Sequence, residues 1–373
     1  MHISVDYQNS ILSISNSVLK YFNKTAPYAS LPELDTILNK NYKNVVLLIL
    51  DCMGTEILRK NLPLDSFLNR HILKNVSSVF PPTTVAATTA FHSALPPLRS
   101  GWLGWMCYFE QYDKIIEIFR QTEFYSGAIV PPEEPYQNLI KYQSIYEQIV
   151  EKNPDVEYVR IFPPFDPNGV NSFQEMCQKI VETTKKSSAK KIISAYWTEP
   201  DHSIHMYGTS AATIKLILKD IEQQIIQMNE KLEDTVVIIS ADHGAVDVQE
   251  TNLTLYPDFC NTFLRPPALE ARFVTFFIKP GKHDIFKNLF EKYFGDDFVL
   301  FSKQDFLDSH ILGTGEMHPM VPSFLGDFIA IGIKNKTLRY DTDERNFPSF
   351  VADHAGFSPD EMTVPLIVLE KKS

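Results

Sequence analysis

Cysteine is scarce: Cys52, Cys107, Cys177 and Cys260 are scattered along 373 residues, and no two form a CxxC pair. That spacing excludes a dense disulfide framework and a zinc–thiolate site, and it predicts free, structural thiols in a reducing compartment. Long apolar runs are also missing, and none reaches the length a membrane-spanning helix needs. The N-terminal stretch has no basic segment followed by an apolar one, as a secretory signal would. A cytoplasmic location with no membrane partner is the expectation. Positive charge is in deficit, 35 Lys and Arg against 46 Asp and Glu, for a net charge of −11. A general nucleic-acid-binding face is excluded, because phosphate contacts need clustered Lys and Arg. A small anionic substrate is not, since a bound divalent ion can dominate the local field.

What the chain does contain is a succession of short apolar runs bounded by polar or turn residues. Val45–Leu50 is wholly apolar, as in a strand buried on both faces of a parallel sheet. Lys191–Trp197, Val236–Ser240, Phe328–Ile331 and Val364–Leu369 read similarly, with Pro365 suiting a strand start or an edge. Between them lie amphipathic stretches, the clearest from Ser210 to Leu232, with Thr209 or Ser210 as the expected N-cap. Strand–helix alternation predicts an α/β, three-layer sandwich with a mainly parallel central sheet. No repeat, low-complexity tract or composition break divides the chain, so one domain over 1–373 is expected. Two stretches fit the alternation poorly: aromatic-dense 101–135 and Pro- and Phe-rich 249–322. Both are candidate substrate-shaping insertions.

The informative residues sit where the strands end, the place where open α/β sheets bind ligands. Asp51 follows the first run, Asp201 and His205 the second, and Asp242-His243-Gly244 the third. His354 lies in a loop before the last. All are carboxylates or imidazoles, ligands suited to zinc or a similar divalent ion. Each alone has a bland reading: turn former, helix cap, surface pair or loop polar residue. Three segments following predicted strands, with a fourth able to reach the same rim, make chance convergence a poor explanation. Phe80-Pro81-Pro82-Thr83-Thr84 then precedes small residues that can start a helix. A hydroxyl at a helix N-terminus is well placed for phosphate, although Thr83 or Thr84 could equally be a simple N-cap.

In order along the chain stand Asp51, Phe80-Pro81-x-x-Thr84, Glu199-Pro200-Asp201-x-x-x-His205-x-Tyr207-Gly208, Asp242-His243-Gly244 and the late His354. The series resembles the alkaline phosphatase superfamily, and within it the nucleotide pyrophosphatase/phosphodiesterase branch. That resemblance implies an alkaline phosphatase-like hydrolase domain holding two divalent metal ions, usually zinc, with manganese or iron also compatible with the donors. Asp201, His205 and His354 would hold one ion. Asp51, Asp242 and His243 would hold the other, with the Thr84 oxygen as a further ligand. Thr84 would be the nucleophile, forming a covalent phospho-threonine, with the attacking and leaving oxygens clamped between the ions. The implied activity is hydrolysis of a phosphodiester or pyrophosphate in a small-molecule phosphate ester, a nucleotide among the candidates.

The pattern departs from its relatives in places. No Arg follows Thr84 closely, as it would in a monoesterase that neutralises a second phosphate charge, which favours diesters. Ala86 and Ala87 stand where the diesterase branch often carries an Asn, and Ile204 replaces a common Gly. Rival readings are a phosphomonoesterase or phosphonate hydrolase on the same scaffold, and a non-catalytic, metal-stabilised binding protein. Candidate substrate contacts are the backbone N–H near Val85, Arg99, and the rings of Trp102 and Trp105, which suit either base stacking or core packing. His202 reads as outward-facing, His318 as open between site and scaffold, and Cys52 and Asp247 as structural.

Overall fold

The apolar run at Val45–Leu50 forms strand β1 (Asn44–Leu50), buried at every position. A strand with no polar face needs cover on both sides, and β1 has it inside a six-stranded sheet. The structure, a computed structural model, describes residues 3–130, 140–341 and 349–372; residues 131–135 of the aromatic-dense stretch lie outside them. The other strands of the sheet are β2 (Ile72–Ser77), β3 (Val156–Ile161), β4 (Lys190–Trp197), β5 (Thr235–Ser240) and β6 (Thr363–Lys371). Their order is β2-β6-β5-β1-β4-β3. β5, β1, β4 and β3 run parallel, giving the mainly parallel α/β sheet that the alternation predicts.

Two of the five expected parallel strands behave differently. β6 is antiparallel to both β5 and β2. Pro365 pairs only with β2, opposite Asn75; pairing with β5 begins at Ile367, past a bulge, so the missing proline N–H costs no ladder bond on that side. Phe328–Gly332 leaves the main sheet altogether and joins a second one. An all-apolar run reports burial on both faces, not the direction of its neighbours, so the sequence pattern could not separate these cases.

The second sheet has seven strands, ordered Phe298–Ser302, Phe328–Gly332, Phe273–Phe276, Ala268–Leu269, Met106–Phe109, Lys114–Glu117 and Thr122–Glu123. Every pairing in it is antiparallel. It draws on both stretches that fit the alternation poorly. The Phe-rich one is more regular than it reads, because helix His283–Phe294 buries Phe286, Phe290 and Phe294 at four-residue spacing. They pack with Phe259, Phe263 and Phe276 in a core of their own. Burying such a ring stabilises by about 1.5–3 kcal/mol relative to exposure.

Three helices position the site: α1 (Thr84–Ser93), α2 (Asp201–Tyr207) and α3 (Ala212–Glu230). α3 buries Ile214, Leu218, Ile221, Ile225 and Met228, as its period predicts. Its N-cap is Ala211, not Thr209 or Ser210, and no side chain caps it. Thr209 is engaged elsewhere, its N–H donating to Asp247 Oδ1 at 2.7 Å. All four cysteines are free. Among the described residues, no helix is long and apolar enough to cross a membrane.

Candidate metal centre

Parallel strands deliver their C-terminal ends to one rim. Asp51 directly follows β1, Asp201 opens α2 shortly after β4, and Asp242-His243 follow β5. α2 sets Asp201 and His205 on one face, with His205 Nε2 3.4 Å from Asp201 Oδ2. The loop before β6 brings in His354, whose Nε2 lies 3.9 Å from Asp201 Oδ1. One ligand atom from each of Asp201, His205 and His354 lies within 4.8 Å of the other two. The same holds for Asp51, Asp242 and His243, where His243 Nε2 stands 3.4 Å from Asp51 Oδ1 and 3.6 Å from Asp242 Oδ2. The two groups adjoin: the rings of His243 and His354 stack with centroids 3.9 Å apart.

Each imidazole is oriented the same way. Nδ1 of His205 faces the Ala352 carbonyl at 2.9 Å, that of His243 the Gly244 carbonyl at 3.0 Å, and that of His354 the Pro82 carbonyl at 3.2 Å. A carbonyl can only accept, so Nδ1 carries a proton in each ring and Nε2 is the nitrogen turned inward, the one left for a metal. Three buried carboxylate oxygens, Asp51 Oδ1, Asp201 Oδ1 and Asp242 Oδ2, have no hydrogen-bond partner. Buried orphans of this kind are costly, and a divalent cation satisfies them. The donor set therefore fits two hard or borderline cations.

The electrostatics agree. Burial, then the charges of Asp242 and Asp201, pushes the Asp51 carboxyl well above its ordinary range, and burial raises Asp242 as well. Burial acts against Asp201 too, but His205 beside it holds that carboxyl below the usual range. Burial lowers His205 and the Asp201 charge overrides it, raising the imidazole to about 10. Burial, reinforced by neighbouring His243, depresses His354. The carboxyls of Asp51 and Asp242, buried together and both raised, make a group that favours a cation.

Thr84 begins α1, and its Oγ1 lies 3.3 Å from His243 Nε2, beside the second group. Thr83 occupies the N-cap position yet makes no capping bond; its hydroxyl donates to Glu270 Oε1 at 2.7 Å. The bland capping reading of these threonines therefore does not hold. Val85 is buried, leaving its backbone as the part that can face the rim. Gly244 has a packing reason: a Cβ there would lie 2.1 Å from the Asp360 carbonyl oxygen.

The remaining candidates divide. Trp105 adjoins the Thr83–Thr84 turn through Glu270, its N–H donating to Glu270 Oε1 at 2.7 Å and its indole N–H to Glu117 at 3.2 Å. Trp102 donates its indole N–H to the Ile140 carbonyl at 2.7 Å and packs on Phe119 with Trp105. Arg99 reaches Tyr28 Oη at 3.5 Å and, among the described residues, makes no ion pair with either candidate ligand group. His318 packs under Gly101 and accepts the Met320 N–H at 3.2 Å, a scaffold role. His202 is exposed. Cys52 is buried, within 4.8 Å of ligand atoms of Asp201 and His243.

Sequence reasoning passed over Tyr196 and Glu270. Tyr196 donates its hydroxyl to Asp51 Oδ2. A polar-tipped aromatic near the end of an otherwise buried strand was the available signal. Glu270, which burial raises to about 8, lies in the Phe-rich stretch and carried no signal at all.

Two adjoining carboxylate–imidazole groups at the strand-end rim of a mainly parallel α/β sheet define a candidate two-metal centre of alkaline phosphatase-like type. The chain belongs to the type I phosphodiesterase / nucleotide pyrophosphatase family, which its sequence matches over residues 45–274. Among solved structures, murine ectonucleotide pyrophosphatase/phosphodiesterase 5 is similar at TM-score 0.65 and 14% identity, over 88% of each chain. An inactive variant of that murine protein in complex with AMP matches at TM-score 0.65 and 13% identity, over 88% of this chain and 87% of the other. Phosphonoacetate hydrolase from Sinorhizobium meliloti 1021, in complex with phosphonoacetate, matches at 0.61 and 11%, over 88% and 90%. These likenesses show a shared fold. No curated protein matches the sequence significantly.

Proposed function

We propose that the protein hydrolyses a phosphodiester or pyrophosphate bond with Thr84 as nucleophile. The observation that carries this reading is the Thr84 hydroxyl at the start of α1, 3.3 Å from His243 Nε2. Asp201, His205 and His354 would hold one divalent cation; Asp51, Asp242, His243 and the Thr84 oxygen would hold the other. When bound, such ions supply Lewis-acid activation of a hydroxyl that is otherwise a weak nucleophile at neutral pH.

The chain's own residues do the rest. Thr84 Oγ1 attacks phosphorus in line, the bond to the leaving oxygen breaks, and the hydroxyl proton passes to solvent. Water then cleaves the phospho-threonine and restores Thr84. The first-turn N–H groups of α1 have no intrahelical acceptor and face the nonbridging oxygens, aided by the helix dipole. Two dications against three carboxylates leave a modest positive excess, suited to the single charge of a diester. Trp105, whose backbone N–H shares Glu270 Oε1 with the Thr83 hydroxyl, is the aromatic candidate for contact with the leaving group. The murine relative inactive in its AMP complex supports a nucleotide-type ester as the substrate class.

The test compares a nitrophenyl phosphodiester with its monoester on zinc- and manganese-loaded protein, alongside Thr84→Ala. Diester turnover should dominate, and Thr84→Ala should abolish it while still binding metal. Near-normal activity in that variant, or cleavage of phosphonoacetate in place of diesters, would replace this reading.

A further inference from the structure

A threonine at an N-cap ordinarily turns its oxygen onto an N–H of the first helical turn. Thr83 has the backbone for it, φ −134° and ψ 149°, and does not do so. Its hydroxyl is drawn instead to Glu270 Oε1, 2.7 Å away. The same oxygen accepts the Trp105 N–H, also at 2.7 Å. Glu270 is anchored in the second sheet: it follows strand Ala268–Leu269, and its own N–H bonds to the Phe273 carbonyl at 2.9 Å. One carboxylate oxygen thus ties the second sheet to the turn that presents Thr84.

The diversion matters because a cap and a substrate compete for the same donors. The N–H groups of a helix's first turn satisfy either a capping oxygen or a bound anion, not both at full strength. We propose that Glu270 is a positioning residue: it holds the Thr83 hydroxyl away from α1 and keeps the N–H groups of Val85 and Ala86 open for the nonbridging phosphoryl oxygens. Glu270 itself does not contact the substrate. The inference rests on Thr84 being the nucleophile, and it explains why a capping residue stands beside Thr84 without capping.

The experiment uses the full metal-loaded chain and a set of variants: Glu270→Gln, Glu270→Ala, Thr83→Val and the double variant Glu270→Ala/Thr83→Val. Steady-state diester kinetics are read together with inhibition by inorganic phosphate, and melting curves confirm folding. Glu270→Gln keeps an acceptor and should stay near wild type. Glu270→Ala releases Thr83 to cap α1, so kcat/KM should fall about tenfold or more, mostly in kcat, with weaker phosphate inhibition. Thr83→Val cannot cap and should lie within about twofold of wild type. The double variant should recover most of what Glu270→Ala loses, because valine has no oxygen to place on the first turn. A merely structural Glu270 gives no such rescue.

A double variant no more active than Glu270→Ala, or an unimpaired Glu270→Ala, overturns the proposal. Glu270→Leu, closer in volume, replaces the alanine variant if the latter does not fold. The two readings separate cleanly. Activity in Thr84→Ala sinks the nucleophile assignment whatever Glu270 does, whereas a dead Thr84→Ala with no rescue sinks only the role of Glu270.

Discussion

The hydroxyl of Tyr196 donates to Asp51 Oδ2, which leaves Asp51 Oδ1 facing His243 Nε2 at 3.4 Å. Tyr196 stands in β4 level with Ile49 of β1, so the sheet register itself sets this bond. One carboxylate oxygen is fixed so that the other is presented. Tyr196→Phe should keep the fold and weaken metal binding at the Asp51–Asp242–His243 group by about tenfold or more. Calorimetric zinc titration checks it; unchanged affinity would assign the hydroxyl a packing role only.

Arg272 and Glu361 form a fully buried two-pronged ion pair at 2.7 and 2.9 Å. Glu361 also accepts the N–H groups of Gly356 and Ser358 at 2.7 and 3.2 Å, clamping the loop that carries His354. Arg272→Met strands the Glu361 charge and should cost about 3–5 kcal/mol of stability. Urea unfolding measures that cost. Metal analysis of the surviving folded protein should show loss chiefly at the His354 site.

Removing the cations should itself destabilise the chain, because the orphaned oxygens of Asp51, Asp201 and Asp242 lose their partners. At a free metal concentration a hundred times the dissociation constant, chelation should lower the unfolding free energy by about 2.7 kcal/mol per site. Melting with and without chelator gives the comparison. No shift would mean the groups hold no ion.

His92, on α1, is held at about 4 against an ordinary 6.5, by burial first and then by the Arg160 charge. The folded state thus binds fewer protons than the unfolded one between these values. Its contribution to stability is fully present above 6.5 and is lost as pH falls toward 4, at roughly 1.4 kcal/mol per pH unit. His92→Leu should flatten that part of the acid limb relative to wild type in urea titrations across this window.

Much of the candidate site was readable because Asp51, Asp201, Asp242 and His243 lie just beyond apolar runs, where parallel strands share a rim, while His354 stands ahead of its strand. That rule singled out Asp51, Asp242 and His243, and the helical turn of α2 paired Asp201 with His205; their division into two ligand sets came from the family resemblance. The direction of β6 and the second sheet were not readable. Burial on both faces leaves the same trace in Phe328–Gly332 as in β1, whatever the neighbouring strands do. Glu270 was invisible for another reason: its importance comes from one oxygen shared by Thr83 and Trp105, partners distant in the chain. Such a convergence is a property of the folded arrangement, with no local spacing to betray it.

β6 (Thr363–Lys371) follows every other strand of the main sheet in sequence, yet it sits inside that sheet, between β2 and β5, with His354 just ahead of it. During translation the edge of β5 therefore stays open, and the candidate metal centre lacks one imidazole, until the segment from His354 to β6 has emerged. Completion of the Asp201–His205–His354 group is therefore coupled to closure of the sheet by β6.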